Sequence, residues 1–246
     1  MAYIIIGATG DLGRALTREI AANGHDLVLV ARDGEGLDAL AGGIAETAGL
    51  RPATVAADVT QGPGYLADVK AAAVAAGGVE GLLLPIGLSQ RDTLATPADQ
   101  VATLIAVNLT AVIEAVSGLW DELARAPGPV VVGFGSITGV RGRRRNLAYG
   151  AAKRALAGYF ESLDTLGRDA GIAVQFYTLG FLATAKMAAE PTPLPKGDVA
   201  RLAARVRRDL GRGSFSRWYP WWWWPAAIAL RLVPAAVYRR IAALSG

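Results

Sequence analysis

The run Tyr3-Ile4-Ile5-Ile6 passes directly into Gly7-Ala8-Thr9-Gly10-Asp11-Leu12-Gly13 and from there into Arg14-Ala15-Leu16-Thr17-Arg18-Glu19-Ile20. A short β-branched run, a glycine at every third position and a helical apolar pattern predict strand, tight turn and helix in immediate succession. Gly7 permits the turn, Gly10 lets backbone approach a pyrophosphate, and Gly13 lets helix pack on strand. The free N–H groups at the start of the helix face the anion. Gly7, Thr9, Gly10, Asp11, Leu12 and Gly13 are therefore expected to line a dinucleotide site. A second apolar run, Asp26-Leu27-Val28-Leu29-Val30-Ala31, ends at Arg32, where such a fold reads the ribose 2′-position. An acid there suits NAD; Arg32 suits a 2′-phosphate and hence NADPH, with the following Asp33 pulling the other way.

Apolar runs continue to alternate with helical stretches, which predicts a doubly wound α/β Rossmann domain with a parallel sheet covered on both faces. Later strands are expected at residues 54–57, 81–84, 130–133 and 174–177, and helices at 35–48, 64–76, 97–125 and 148–169. The catalytic Rossmann domain is expected over residues 1–198, with a C-terminal aromatic and basic amphipathic extension over 199–246. At 246 residues and 52% apolar content the chain can bury a large core unaided. The absence of cysteine excludes disulfides and thiol chemistry, and the single His25 leaves no histidine metal cluster. The first apolar run enters the glycine turn without a basic leader, so no signal peptide is expected and the protein is placed in the cytoplasm.

Tyr149-Gly150-Ala151-Ala152-Lys153 puts a phenol and an ammonium one helical turn apart on the same face. The ammonium is expected to favour the phenolate and bring Tyr149 toward a working pKa. Ser136 ends the apolar run from Val130 to Gly135. It is expected at the C-terminal edge of a buried strand, hydrogen-bonded to the same substrate oxygen. A phenol, an ammonium and a hydroxyl converging on one carbonyl oxygen is the chemistry of ketone reduction.

With these motifs the chain resembles the short-chain dehydrogenase/reductase family over nearly its whole length. The resemblance implies a catalytic set of Asn108, Ser136, Tyr149 and Lys153, in which Asn108 holds a water that relays protons to the lysine and Lys153 also grips the nicotinamide ribose. It further implies that Asp58 and Val59 flank the adenine, that Gly87 follows the fourth strand beside the cofactor, and that Thr184 reaches the nicotinamide or phosphate region. There are departures from the family pattern. Asp11 stands where glycine is common, Leu84-Pro85-Ile86-Gly87 replaces Asn-Asn-Ala-Gly, and Leu179-Gly180 replaces Pro-Gly.

Substrate information is expected in three segments. Arg141, Arg143, Arg144 and Arg145 form a basic loop between Ser136 and Tyr149, read either as a solvated loop or as guanidinium groups for a phosphate. Pro191-Thr192-Pro193-Leu194-Pro195 reads as a mobile substrate lid. From residue 199 onward nine arginines accompany a single acid, Asp209, and five of the six tryptophans lie between Trp218 and Trp224. Prolines and Arg231 break this block, so it is read as an interfacial segment attracted to anionic lipid rather than a spanning helix. Burial over the substrate pocket or in a homo-oligomer remains the alternative, since family members commonly form dimers or tetramers. Nucleic acid is not expected, because the arginines accompany a thick apolar block.

The loop and tail together are similar to those of the decaprenylphosphoryl-2-keto-ribose reductases. That similarity implies an NADPH-dependent ketoreductase on a lipid-phosphate-linked keto-sugar or another membrane-lodged ketone, peripheral on the inner face of the cytoplasmic membrane. The alternatives are a soluble reductase of small ketones and a dinucleotide sensor without turnover.

Overall fold

A computed structural model describes residues 1–187 and 192–244 of the chain. Pro191 of the proline cluster and the last two residues of the tail lie outside the described residues. The first α/β units are β1 (Ala2–Ile6), α1 (Asp11–Ala21), β2 (Asp26–Ala31), α2 (Gly34–Ala48), β3 (Ala53–Ala56) and α3 (Leu66–Ala75). They are followed by β4 (Val79–Leu84), α4 (Ala98–Ile105), α5 (Ala111–Ala124), β5 (Val130–Ser136), α6 (Leu147–Ala170) and β6 (Ala173–Leu179). The C-terminal part supplies α7 (Val199–Asp209), β7 (Phe215–Tyr219), α8 (Trp223–Leu232) and α9 (Ala235–Leu244).

The strands form one parallel seven-stranded sheet in the order β3-β2-β1-β4-β5-β6-β7. The order reverses between β1 and β4, and a crevice at the C-terminal ends of strands on either side of such a reversal is where open α/β sheets bind ligands. β1 is buried along its whole length, and its alternate residues feed two cores, one on each face. Ile4 and Ile6 share one core with Val116 and Leu119 of α5, whereas Ile5 shares the other with Leu16 and Ile20 of α1 and Leu202 and Val206 of α7. Burial on both faces is why these strands read as continuous apolar runs.

The long helix expected at 97–125 runs from Ala98 to Ala124 but widens into a π turn over Ala106–Thr110. Its length and apolarity would let it cross a membrane, yet Leu104, Val112, Ala115, Val116, Leu119 and Leu123 are buried and the helix covers the sheet.

Residues 199–219, assigned by sequence to the extension, supply the last α/β unit of the sheet. Asp198 caps α7 by accepting from Arg201 N–H, and Leu202, Ala203 and Val206 pack in the core beside α1. β7 escaped notice because Phe215-Ser216-Arg217-Trp218-Tyr219 alternates rather than running apolar, as suits an edge strand. Beneath it the Asp209 carboxylate accepts from Tyr177 Oη at 2.9 Å, Arg205 Nε at 2.9 Å and Arg217 Nη1 at 3.0 Å, with Arg212 Nη1 at 3.4 Å. Three of the tail's arginines are therefore gathered inside the fold around one carboxylate.

Candidate active site

At the end of β1, Gly7 adopts φ +96° and abuts the Pro85-Ile86 backbone after β4. A Cβ on Gly13 would lie 2.1 Å from Gly7 O, so α1 enters at a distance only glycine allows. A Cβ on Gly10 would meet nothing closer than Gly7 O at 3.5 Å, which leaves its exposed backbone open to a phosphate. Arg14 Nε donates to Thr9 O and pins the turn, while Leu12 packs against the core. Asp11 does something different from its neighbours. Its carboxylate accepts from Ala185 N–H at 3.1 Å, clasping the glycine turn to the segment that begins at Thr184. Lys186 Nζ extends the same strap by donating to Ser89 O across the cleft.

At the end of β2, Arg32 is exposed while the Asp33 carboxylate caps α2 by accepting from Gly36 N–H. The acid that obscured the cofactor preference is thus engaged in a cap. Asp58 accepts from the backbone and hydroxyl of Thr60, and these bonds, with a smaller contribution from the Arg32 charge, hold its carboxyl below the usual range. Val59 begins the short turn beside it and packs against the core.

Of the residues expected to be catalytic, Ser136 lies on β5 and Tyr149 and Lys153 lie on α6. Ser136 ends β5 and accepts from Thr138 N–H, and the following turn lies so close to α6 that a Cβ on Gly139 would sit 2.9 Å from Arg154 N. The Tyr149 phenol lies near the hydroxyls of Ser136 and Ser89, both of which favour its phenolate. Burial pushes the phenol up, and the two serine hydroxyls only partly offset that rise. The direction is opposite to the lowering expected from Lys153, because removal of the phenolate from water outweighs the serine hydroxyls and the lysine does not contribute to the shift. Lys153 is itself only 5% exposed and donates to Phe134 O at 3.1 Å. Burial brings its ammonium down to about 8.

Asn108 sits fully buried in the middle of the π turn. Its amide donates to Leu104 O at 2.9 Å and Leu88 O at 3.0 Å and accepts from Leu88 N–H at 3.2 Å. The widened turn releases Leu104 O for this side chain, a use of π geometry that recurs at functional sites. A Cβ on Gly87 would lie 3.5 Å from Asn108 Oδ1 and 3.8 Å from Lys153 Nζ, so glycine keeps the space before both groups open.

Two contributors escaped the sequence reading. Ser89 was hidden because its loop departs from the family pattern. Asp92, 1% exposed, caps α6 from across the cleft, with Oδ2 2.5 Å from Ala148 N and Oδ1 3.3 Å from Tyr149 N. No spacing rule reveals a cap contributed from so distant a point in the chain.

The basic loop divides. Arg141 donates to Leu230 O at 2.5 Å and Val233 O at 2.7 Å at the end of α8 and stacks on Tyr238, which removes it from the group expected to face a phosphate. Arg145 supplies a backbone carbonyl to Asp92 N–H. Arg143 and Arg144 line a pocket of about 460 Å³ with Leu147, Tyr238 and Arg239. Burial lowers the Arg143 guanidinium pKa from its ordinary value.

The tryptophans divide as well. Trp223 is buried against Gly180 and Phe181, joining Ile137, Val140, Trp218 and Trp222 in a small apolar cluster over the Ser136 loop. Trp222 Nε1 donates to Pro195 O, so this cluster also holds the remainder of the proline segment.

Residues 2–193 match the family model for short chain dehydrogenases. An uncharacterized oxidoreductase of Mycobacterium tuberculosis (strain ATCC 25618 / H37Rv) is 28% identical over 240 residues, covering 97% of this chain and 96% of the relative. A 7β-hydroxysteroid dehydrogenase of Collinsella aerofaciens is 29% identical over 224 residues, covering 87% and 81%. Among solved structures, a short-chain dehydrogenase from Sphingobium yanoikuyae in complex with NADPH superposes with a TM-score of 0.78 at 24% identity, covering all of this chain and 94% of the other.

Proposed function

Since the chain belongs to the short-chain dehydrogenase family and is an oxidoreductase acting on CH–OH and C=O groups, we propose that it is an NADPH-dependent ketoreductase of a bulky, membrane-lodged ketone. A keto-sugar on a polyprenyl phosphate, as for the decaprenylphosphoryl-2-keto-ribose reductases it resembles, is the substrate class we favour. The observation that carries the activity is the Tyr149 phenol, half-buried near the hydroxyls of Ser136 and Ser89 and one helical turn from Lys153.

The glycine turn would hold the pyrophosphate, Arg32 the 2′-phosphate, Asp58 and Val59 the adenine, Lys153 beside Gly87 the ribose, and Thr184 the nicotinamide end. The open space at Gly10 and Gly87 fits such a group, and NADPH is the cofactor in the Sphingobium structure. The bound nicotinamide supplies hydride. Tyr149, kept protonated by its raised pKa, gives its proton to the developing alkoxide, and Ser136 and Ser89 stabilise that oxygen by hydrogen bonding. Lys153, titrating near 8, returns a proton to the tyrosine, with Asn108 fixing the loop through which the relay reaches solvent. Arg143 and Arg144 would meet the substrate's phosphate. This reading places the enzyme in the cytoplasm, at the inner membrane face.

A second reading, a soluble reductase of bulky fused-ring ketones, is favoured by the likeness to the 7β-hydroxysteroid dehydrogenase. NADPH oxidation followed with polyprenyl-phosphate keto-sugars, steroid ketones and small ketones separates the two. Tyr149→Phe is expected to reduce turnover at least about 100-fold on whichever substrate is accepted. Unchanged turnover in that variant would refute the mechanism, and NADPH binding without oxidation on every ketone would favour a sensor.

A further inference from the structure

After Asp209 the chain carries no acidic residue, and the surface built by its last two helices is both apolar and basic. Trp221, Trp224, Ile228 and Leu232 follow one another at helical spacing along a single stripe that starts in the turn before α8. Their exposures are 72%, 55%, 40% and 76%, unusual for side chains of this size. Val237 adds to the patch from α9 at 48%. The opposite side of α8, Trp223 and Ala227, is buried in the cluster over the Ser136 loop, so the exposed stripe is not simply an unpacked helix.

Charge identifies what covers it. Arg205, Arg212 and Arg217 are engaged with Asp209, and Arg207 with Glu19. Arg231 on α8 and Arg239 and Arg240 on α9 are exposed and form no ion pair among the described residues. Indole and aliphatic groups accompanied by guanidinium groups without ion-pair partners, on helices that carry no acid, match a bilayer whose headgroups are anionic. A second copy of the same face would set these arginines against each other.

We infer that the α8–α9 face docks on an anionic phospholipid surface, with Trp221, Trp224, Ile228 and Leu232 entering the headgroup region and Arg231, Arg239 and Arg240 meeting phosphate. The contact reaches the catalytic side of the molecule through Arg141, which ties the end of α8 to the loop between Ser136 and Tyr149, and through Tyr238 Oη, which donates to Gly142 O. Docking thereby turns the mouth of the cleft toward the membrane. This inference rests on the tail alone and stands whatever ketone is reduced.

Flotation of the full chain with vesicles of phosphatidylcholine, with and without phosphatidylglycerol, tests it, with fluorescence enhancement of added NADPH confirming that each variant is folded. Binding is expected only to the anionic vesicles and is expected to weaken with salt. Arg231→Gln/Arg239→Gln/Arg240→Gln, which leaves the apolar packing in place, should lower partitioning on the order of 100-fold. Trp221→Ser/Trp224→Ser should abolish it with NADPH binding intact. Absence of binding to either vesicle, or equal binding to both, overturns the proposal. So does a dimer in sedimentation velocity that Trp224→Ser dissociates, since a second copy would then cover the face.

Discussion

At Lys153 a buried ammonium has, among the described residues, one backbone carbonyl as its hydrogen-bond partner. A lysine with a folded pKa of about 8 and an ordinary value near 10.4 in the unfolded chain binds fewer protons when folded at the pH values between. Stability from this group therefore rises with pH across that window, and below pH 8 the full cost of burying the charge is present. Lys153→Met is expected to stabilise the protein at pH 7 by about 2 kcal/mol, after allowing for the lost hydrogen bond, while removing turnover. The gain should shrink toward zero by pH 10.5. Denaturant unfolding of both proteins at pH 7 and pH 10 measures it; an equal difference at both values would show that the site does not shift the lysine. Tyr149 and Lys153 were legible because helical spacing alone places them. The sign of the tyrosine shift was not, because it depends on how much water the folded chain removes.

Among the elements, α6, which bears Tyr149 and Lys153, begins with an N-cap, Asn146, whose side chain makes no capping bond. Its free N–H groups at Ala148 and Tyr149 are taken by Asp92. A carboxylate at a helix N-terminus is favoured by the helix dipole as well as by hydrogen bonding. The same residue ties the loop after β4 to the segment before α6, through its N–H to Arg145 O. Asp92→Ala is expected to cost about 1–2 kcal/mol of stability and to lower kcat about tenfold or more with KM for NADPH nearly unchanged. Asp92→Asn, which retains an acceptor, should recover part of kcat. A loss of stability with kcat intact would reduce Asp92 to a structural cap. Helix and strand positions within this unit followed from apolar period. The π turn at Asn108 did not, because one extra residue in a helical turn leaves the apolar pattern on either side almost unaltered.

For the molecule as a whole, the difference between an appended tail and a completed sheet turns on Asp209. Nine arginines and one acid make the segment look like a single basic extension by composition; the fold uses that acid to hold β6, α7 and β7 together. Such a reading fails for a physical reason, since composition records charge but not which charges face inward. The carboxylate is buried, which by itself would raise its pKa. Hydrogen bonds from Arg205 and Tyr177 and the charges of Arg205 and Arg217 outweigh burial and hold it below the ordinary value. A carboxyl whose folded pKa is depressed contributes stability that is complete above its unfolded pKa of about 3.9 and is lost as pH falls through the lower folded value. Asp209→Asn leaves three guanidinium groups converging on a neutral amide, and breaking a buried ion pair in this way is expected to cost about 3–5 kcal/mol at neutral pH. Because β7 is the edge strand, the loss should begin there, with faster amide exchange in β7 and α7 than in β1 and β4, whose strands are central to the sheet. The difference between Asp209→Asn and the native protein should diminish only in strong acid, where the native carboxyl protonates. Hydrogen exchange with unfolding curves at pH 7 and pH 3 checks both parts, and uniform loss of protection across all seven strands would show that the tail unit unfolds only with the rest of the sheet.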